Sequence, residues 1–280
     1  MWVDEDVVEQ RILEQAHRLP GYGAVTAWAA LRWQGARYFD GTDREGERLP
    51  VPLTLGEHML RADPRVSIRR GQLGDYERHE VDGVSCAVWQ RALFDEIVRI
   101  GSLRPAVVAA DMTWAAGLGG SAEFWAYLDR VRPRNGVVLA RAVATWARES
   151  SWSPQEVWMR MCWVMDAQLP EPRSNVPVFD LAGNLIGIPD LLDADAGVVG
   201  EYQGAIHRDP QQHRLDVERA ERFRDHGLEY FEVTAGQLGD ARTPYRMRRV
   251  RARARFLPPE DRLWTTTTPA WWIARTELTS

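Results

Sequence analysis

Residues 185–204 read Leu-Ile-Gly-Ile-Pro-Asp-Leu-Leu-Asp-Ala-Asp-Ala-Gly-Val-Val-Gly-Glu-Tyr-Gln-Gly, two β-prone runs joined by an Asp- and Gly-containing turn. With the turn centred between Asp195 and Ala196, counting outward places Asp190 opposite Glu201, their β-carbons about 4.5–5.5 Å apart. Gln203 shares the face of Glu201, because side chains alternate along a strand. Like charges so placed destabilise a hairpin unless something offsets the repulsion, and a divalent cation does so. Mg²⁺ or Mn²⁺ accepts one or two carboxylates completed by water and phosphate oxygens, which suits the pair. A metal held there polarises a phosphodiester and lowers the pKa of an attacking water. Spacing alone also fits, as the commoner arrangement, two solvated carboxylates on a hairpin with water on one side.

Outward from the hairpin, Ser153-Pro154-Gln155-Glu156 is a capping box with Pro at the first helical position, predicting a helix to about residue 168. Strands are expected at 176–180, 185–192 and 198–203, a helix from Asp209-Pro210 to Gly227, and a last strand at 228–233. The order is α-β-β-β-α-β. Past Gly239 come Arg242, Arg246, Arg248, Arg249, Arg251, Arg253 and Arg255, with Tyr245 and Phe256 among them. Such a run is ordinarily a solvated helix face. The other reading is a phosphate-contacting patch, with Arg246, Arg248, Arg249 and Arg251 as candidate nucleic-acid contacts. The tail, with Trp264, Trp271 and Trp272, carries enough indole to dock on the body or on a partner.

The first half reads as helices at 4–17 and 24–33, short strands at 51–55, 65–68 and 84–88, then helices at 90–100, 105–116, 122–131 and 137–148. The chain therefore divides into an α+β and helical part over 1–150, an α/β part over 151–240 and an Arg- and Trp-rich extension over 241–280. The fold class is α/β, a mixed sheet flanked by helices preceded by a smaller α+β domain.

At 280 residues with 45% hydrophobic and 27% charged residues, the composition is that of a globular protein. No apolar run approaches the ~18 residues of a membrane span, and Met1-Trp2-Val3-Asp4-Glu5-Asp6 is acidic where a signal peptide is basic, so a cytoplasmic protein is expected. Cys86 and Cys162 lie among apolar neighbours without zinc-ligand spacing and read as buried thiols. All 35 basic residues are Arg, a pattern of GC-rich coding that excludes any lysine-dependent chemistry. The net charge of −5 means that a nucleic-acid partner needs a local basic surface.

The landmarks Ser153-Pro154-Gln155-Glu156, Asp190, Glu201-Tyr202-Gln203-Gly204, His207, Asp216-Val217-Glu218-Arg219 and Gly227, in that order, resemble the very-short-patch-repair-like branch of the PD-(D/E)xK nuclease superfamily. The resemblance covers about 153–238. It implies a restriction-endonuclease-like sheet, with Asp190 and Glu201 binding Mg²⁺ and with Glu156, His207 and Asp216 near the site. It departs from the superfamily pattern at Gln203, which stands where Lys is usual; Gln orients water but supplies no positive charge. Each supporting residue also has a plainer reading. Glu156 completes a capping box, His207 is a loop histidine or a general base, and Asp216 pairs with Arg219 three residues on. The first half, including Ala92-Leu93-Phe94-Asp95-Glu96 and residues 105–116, more loosely resembles AbiEi-type abortive-infection antitoxin proteins. Two functions follow as expectations: a metal-dependent DNA endonuclease or nickase in repair, restriction or phage defence, or a non-catalytic antitoxin or regulator that binds DNA or protein through a degenerate nuclease fold.

Overall fold

The computed structural model describes residues 7–56, 61, 63–70, 73–131, 134–204 and 210–277. The chain divides into two compact units, Met1–Glu149 and Ser150–Ser280. The architecture is α/β, as expected. No described helix is long and apolar enough to cross a membrane.

The first unit orders α1 (Val8–Ala16), β1 (Ala24–Val25), α2 (Ala27–Trp33), β2 (Val51–Thr54), β3 (Val66–Arg69), β4 (Arg78–Val81) and β5 (Val84–Ala87), then α3 (Trp89–Ile100), α4 (Leu103–Ala115), α5 (Ser121–Arg130) and α6 (Val137–Trp146). Its sheet runs β3-β2-β1-β5-β4. The single helix expected at 24–33 is a correction: Ala24 and Val25 pair with Thr54 and Leu53, and the helix starts only after Thr26. The amide of Trp28 in its first turn donates to Glu96 Oε2 of α3 at 3.1 Å, so a carboxylate from another helix caps α2. Strand β4 was not expected, because Arg78-His79-Glu80-Val81 is mostly polar; it pairs with β5 across Asp82-Gly83, both at positive φ as such tight turns require.

A buried ion cluster ties this sheet to α3. Arg91, 2% exposed, donates from Nη1 to Glu77 Oε2 and from Nε to Asp95 Oδ2, each at 3.0 Å. Tyr127 Oη donates to Glu77 Oε1 at 2.9 Å, and Thr26 Oγ1 to Asp95 Oδ2 at 2.7 Å.

The second unit orders α7 (Pro154–Met161), β6 (Val178–Asp180), β7 (Leu185–Gly187), β8 (Leu191–Asp193), β9 (Val198–Gln203), α8 (Pro210–Asp225), β10 (Glu229–Thr234), α9 (Arg242–Arg253), β11 (Trp264–Thr265) and α10 (Ala270–Glu277). Ser153 Oγ accepts the Glu156 amide at 3.3 Å, the expected cap. The helix stops at Met161 and passes into a π-helical turn over Cys162–Asp166, whose Trp163 indole donates to Pro170 O at 2.8 Å. The expected strand at 185–192 is broken: β7 and β8 belong to different sheets, ordered β11-β6-β7 and β10-β9-β8. Pro189 lies at the break and has no N–H with which to continue a ladder.

Strands β8 and β9 are antiparallel, whereas β9 and β10 are parallel and joined through α8, as a parallel pair requires a long connection. The central sheet is covered on both faces. Met159, Trp163, Leu191, Val198, Phe231, Val233, Met247 and Val250 pack on one, with Trp163 and Phe231 stacked at 5.7 Å. Val178, Leu192, Val199, Phe223, Leu228 and Trp264 pack on the other. A side chain at Gly200 would collide with the Phe231 ring, which fixes how closely β10 lies against β9. The residues beyond 240 are thus built into this unit: α9 supplies Met247 and Val250, and β11 supplies Trp264. Trp271 and Trp272 pack edge-on against Phe179.

Replacing Arg91 with Met takes the shared cation from the buried Glu77 and Asp95, leaving Asp95 only the more distant Arg69 at 3.9 Å, and is expected to lower stability by about 3–5 kcal/mol. Urea unfolding of the full chain measures it. A loss below about 1 kcal/mol, the scale of an exposed pair, sinks this account of the cluster.

Candidate functional site

The observed register pairs Leu191 with Gly200, Leu192 with Val199 and Asp193 with Val198. Extended by one residue, it sets Asp190 opposite Glu201, as the turn position predicted. Because Pro189 has ended the ladder, the Tyr202 amide is met by a side chain: Asp190 Oδ2 accepts it at 2.7 Å. Asp190 Oδ1 accepts no hydrogen bond among the described residues.

Glu201 is 2% exposed and sits on the middle strand of its sheet. Its Oε1 accepts Arg219 Nε at 2.6 Å and is closer still to Arg219 Nη2, while Oε2 accepts Tyr230 Oη at 3.3 Å. Arg219 comes from α8 and Tyr230 from β10, so three successive elements converge on one carboxylate.

Charge and burial act strongly on this group. Burial pushes Asp190 up to about 6; the Tyr202 amide opposes the shift, and the Glu156 and Glu201 carboxylates add to it. Burial also raises Glu201, against the pull of Arg219. Burial acts to lower Arg219, but the charge and hydrogen bond of Glu201, with Asp190 and Tyr230 adding to them, raise it on balance. Tyr230 is raised by burial and by the adjacent Glu201 charge.

The other expected residues fall in different places. Gln203 is half-buried, two residues beyond Glu201 on the same strand. Glu156 Oε2 accepts the Trp152 amide at 2.8 Å and Asn175 Nδ2 at 2.6 Å, so it holds the α7 entrance while its charge still reaches Asp190. Asp216 lies half-buried one turn before Arg219, and its charge raises Glu201. Arg219 brings both Nε and Nη2 to Glu201 Oε1, a charge-assisted contact with a buried carboxylate. His207 lies outside the described residues.

The four candidate nucleic-acid arginines separate into two kinds. Arg248 Nη1 donates to Asp166 O at 3.1 Å, and Arg251 Nε to the buried Asp193 Oδ2 at 2.7 Å, so both hold the fold. Arg246 donates to Gln237 Oε1 at 2.9 Å and to Glu232 O at 3.0 Å, and Arg249 lies 5.8 Å from the Tyr245 ring; both side chains are exposed.

No cluster of three or more His, Cys, Asp and Glu residues able to hold a metal occurs among the described residues. The donor set at Asp190 and Glu201 is a two-carboxylate set, which suits Mg²⁺ completed by water and phosphate oxygens. Its fit rests on the open Asp190 Oδ1 and on the mutual repulsion of the pair, which a cation relieves. Cys86, whose thiol burial pushes up to about 12, and Cys162 are buried and form no disulfide, consistent with inert thiols. Sequence reasoning did not assign Arg219 or Tyr230 to Glu201. The spacing of Asp216 and Arg219 marked α8, but the meeting with Glu201 depends on the β9–β10 register. Searches of family models, curated proteins and solved structures found no match to this chain.

Asp190 contributes a pH dependence whose sign follows from its shift. Its ordinary value is near 3.8 and its folded value about 6, so between these the folded state holds more protons and stability falls as pH rises. Asp190→Asn keeps an acceptor for Tyr202 and removes the charge. It is expected to be more stable than the parent at pH 7.5, by roughly 1–3 kcal/mol, and indistinguishable at pH ~4. Urea unfolding at both pH values measures this. A variant less stable than the parent at pH 7.5 overturns the burial assignment.

Proposed function

We propose that the second unit hydrolyses phosphodiester bonds of DNA as a metal-dependent endonuclease or nickase. The observation that carries this reading is the pair Asp190 and Glu201, facing each other across β8 and β9, with one carboxylate oxygen of Asp190 open and its pKa raised. When bound between them, Mg²⁺ or Mn²⁺ supplies a Lewis acid for a phosphoryl oxygen and acidifies an attacking water. Asp190 and Glu201 are the ligands; Glu201 is buried and Asp190 half-buried, which limits how far solvent screens the pair. Gln203, on the face of Glu201, orients water through its amide but brings no charge. Arg219 brings a fixed positive charge to the same carboxylate from α8. The guanidinium therefore compensates for the lysine that the family pattern has at position 203, on a different element.

One observation favours the second reading, a non-catalytic antitoxin or regulator. Glu201 is already satisfied by Arg219 and Tyr230, as a purely structural buried carboxylate would be. In that case the unit binds DNA or protein as a scaffold, without metal.

Supercoiled plasmid with Mg²⁺ or Mn²⁺ separates the two. The expected result is metal-dependent nicking, lowered about 100-fold or more in Asp190→Ala and in Glu201→Ala, the loss typical when a charge-stabilising group leaves a site. Folded parent protein that leaves the plasmid intact, or variants that cut as the parent does, removes the hydrolase reading.

A further inference from the structure

A second feature of this unit lies along β10, the edge strand of its sheet. There α8, β10 and α9 enclose a pocket of about 520 Å³, lined among others by Arg224, Tyr230, Glu232, Arg246, Arg249 and Arg253. Four guanidinium groups therefore face one space beside one carboxylate, Glu232, with the polar side chains of Thr234 and Gln237 at the same wall.

Most of these arginines are not consumed by the fold. Arg253 pairs with Glu229 at 3.1 Å, half exposed. Arg224 lies over the Tyr230 ring at 4.9 Å, Arg249 is 5.8 Å from the Tyr245 ring, and Arg246 bonds only neutral acceptors. Among the described residues, none of Arg224, Arg246 and Arg249 forms an ion pair. Helix α9 carries Arg242, Arg246, Arg248, Arg249, Arg251 and Arg253 and no acidic residue, in a chain whose net charge is −5. The helix thus brings a local excess of positive charge to this face, and a concave site focuses it further.

We propose that this pocket binds phosphoryl groups. Arginine forks match the oxygens of a phosphate bidentately, and a cluster in which three of four have no carboxylate partner is satisfied by an anion of that shape. A second observation ties the pocket to the carboxylate pair. Tyr230 lines the pocket and donates its hydroxyl to Glu201. A phosphate held here therefore lies one side chain away from Glu201, as a backbone phosphate flanking a scissile bond would. The occupant that follows is a nucleic-acid backbone, and for that identity the proposal rests on the function proposed above. A free nucleotide is the other source of the same chemistry.

The test is metal-free, so it does not depend on cleavage. A short fluorescein-labelled DNA duplex is titrated with the full chain in EDTA at low salt and followed by anisotropy, for the parent, Arg246→Ala/Arg249→Ala, Glu232→Gln and Arg214→Ala. Arg214, ion-paired to Glu218 on an exposed stretch of α8, is the control. The double variant is expected to bind about tenfold or more weakly, with the log–log salt dependence flattened by about two. Glu232→Gln, which removes the one negative charge of the pocket, is expected to bind about threefold more tightly. Arg214→Ala should match the parent. ATP titrated into the same proteins by calorimetry reports the other source: nucleotide binding lost in the double variant, without DNA binding, assigns the pocket to free phosphate esters. Binding of neither ligand, or binding unchanged in both pocket variants when their melting curves match the parent, overturns the proposal. Retained DNA binding by Asp190→Ala together with absent nicking by the parent leaves this pocket standing and removes the hydrolase reading alone.

Discussion

Glu201 is a carboxylate on the middle strand of a covered sheet, with almost no contact with water. An ionised group in that position costs several kcal/mol unless charge and hydrogen bonds are brought to it. Arg219 and Tyr230 bring them, one from the crossover helix and one from the neighbouring parallel strand. The requirement runs through the whole α/β core. For Tyr230 to reach Glu201, β10 must pair with β9 in the register that sets Glu229 beside Val198, and α8 must lie so that Phe223 stacks on Tyr230. The collision that any side chain at Gly200 would have with Phe231 holds the opposite face of the same strand pair. Packing on one face and an ion pair on the other thus specify one register, and with it the facing of Asp190 and Glu201.

The parts of this arrangement that were legible in the sequence are those governed by neighbours. The Asp- and Gly-containing turn set the β8–β9 register, and hence the Asp190–Glu201 pairing, because a hairpin is fixed by its own loop. Ser153-Pro154 marked the start of α7 for the same reason, since the cap is made within one turn. Where distant residues decide, the reading failed. Residues 185–192 have the pattern of one strand, yet they split between two sheets, because the chain must leave one layer and enter another at Pro189. Ala24 and Val25 look helical beside Trp28, but β2 and β5 claim them for a sheet. The Asp82-Gly83 turn was available as a hairpin signal, and the polar strand before it hid the pairing. The partner of Arg219 could not be read, because parallel pairing through α8 leaves no local trace of its register.

The arginines after Gly239 show how one helix serves structure and charge together. Met247 and Val250 turn one side of α9 into the core, and Arg251 carries its charge inward to the buried Asp193 at the β8–β9 turn. Arg248 closes the end of the π-helical turn. These contacts anchor the helix, so the remaining guanidiniums are held on a fixed surface rather than on a swinging tail. Sequence alone treats the run as one feature, since helical spacing does not say which arginine finds a buried acceptor.

On the hydrolase reading, the same ion pair that builds the site also constrains it. A divalent cation brought to Glu201 meets the Arg219 guanidinium already seated on its Oε1, and two unit charges ~4 Å apart interact by about 4 kcal/mol at an effective dielectric constant of 20. Glu201 therefore resists losing its guanidinium to a metal alone. A phosphodiester entering beside Arg219 offers the guanidinium another anion and frees the carboxylate oxygen. Metal and substrate then bind better together than either does separately, which is the thermodynamic meaning of coupled sites. A lysine at position 203 would not impose this coupling, because it would stand beside Glu201 on the same strand without having to leave it. On that reading position 203 is left uncharged, and the positive charge beside Glu201 comes from Arg219 on α8, an element that must exchange partners.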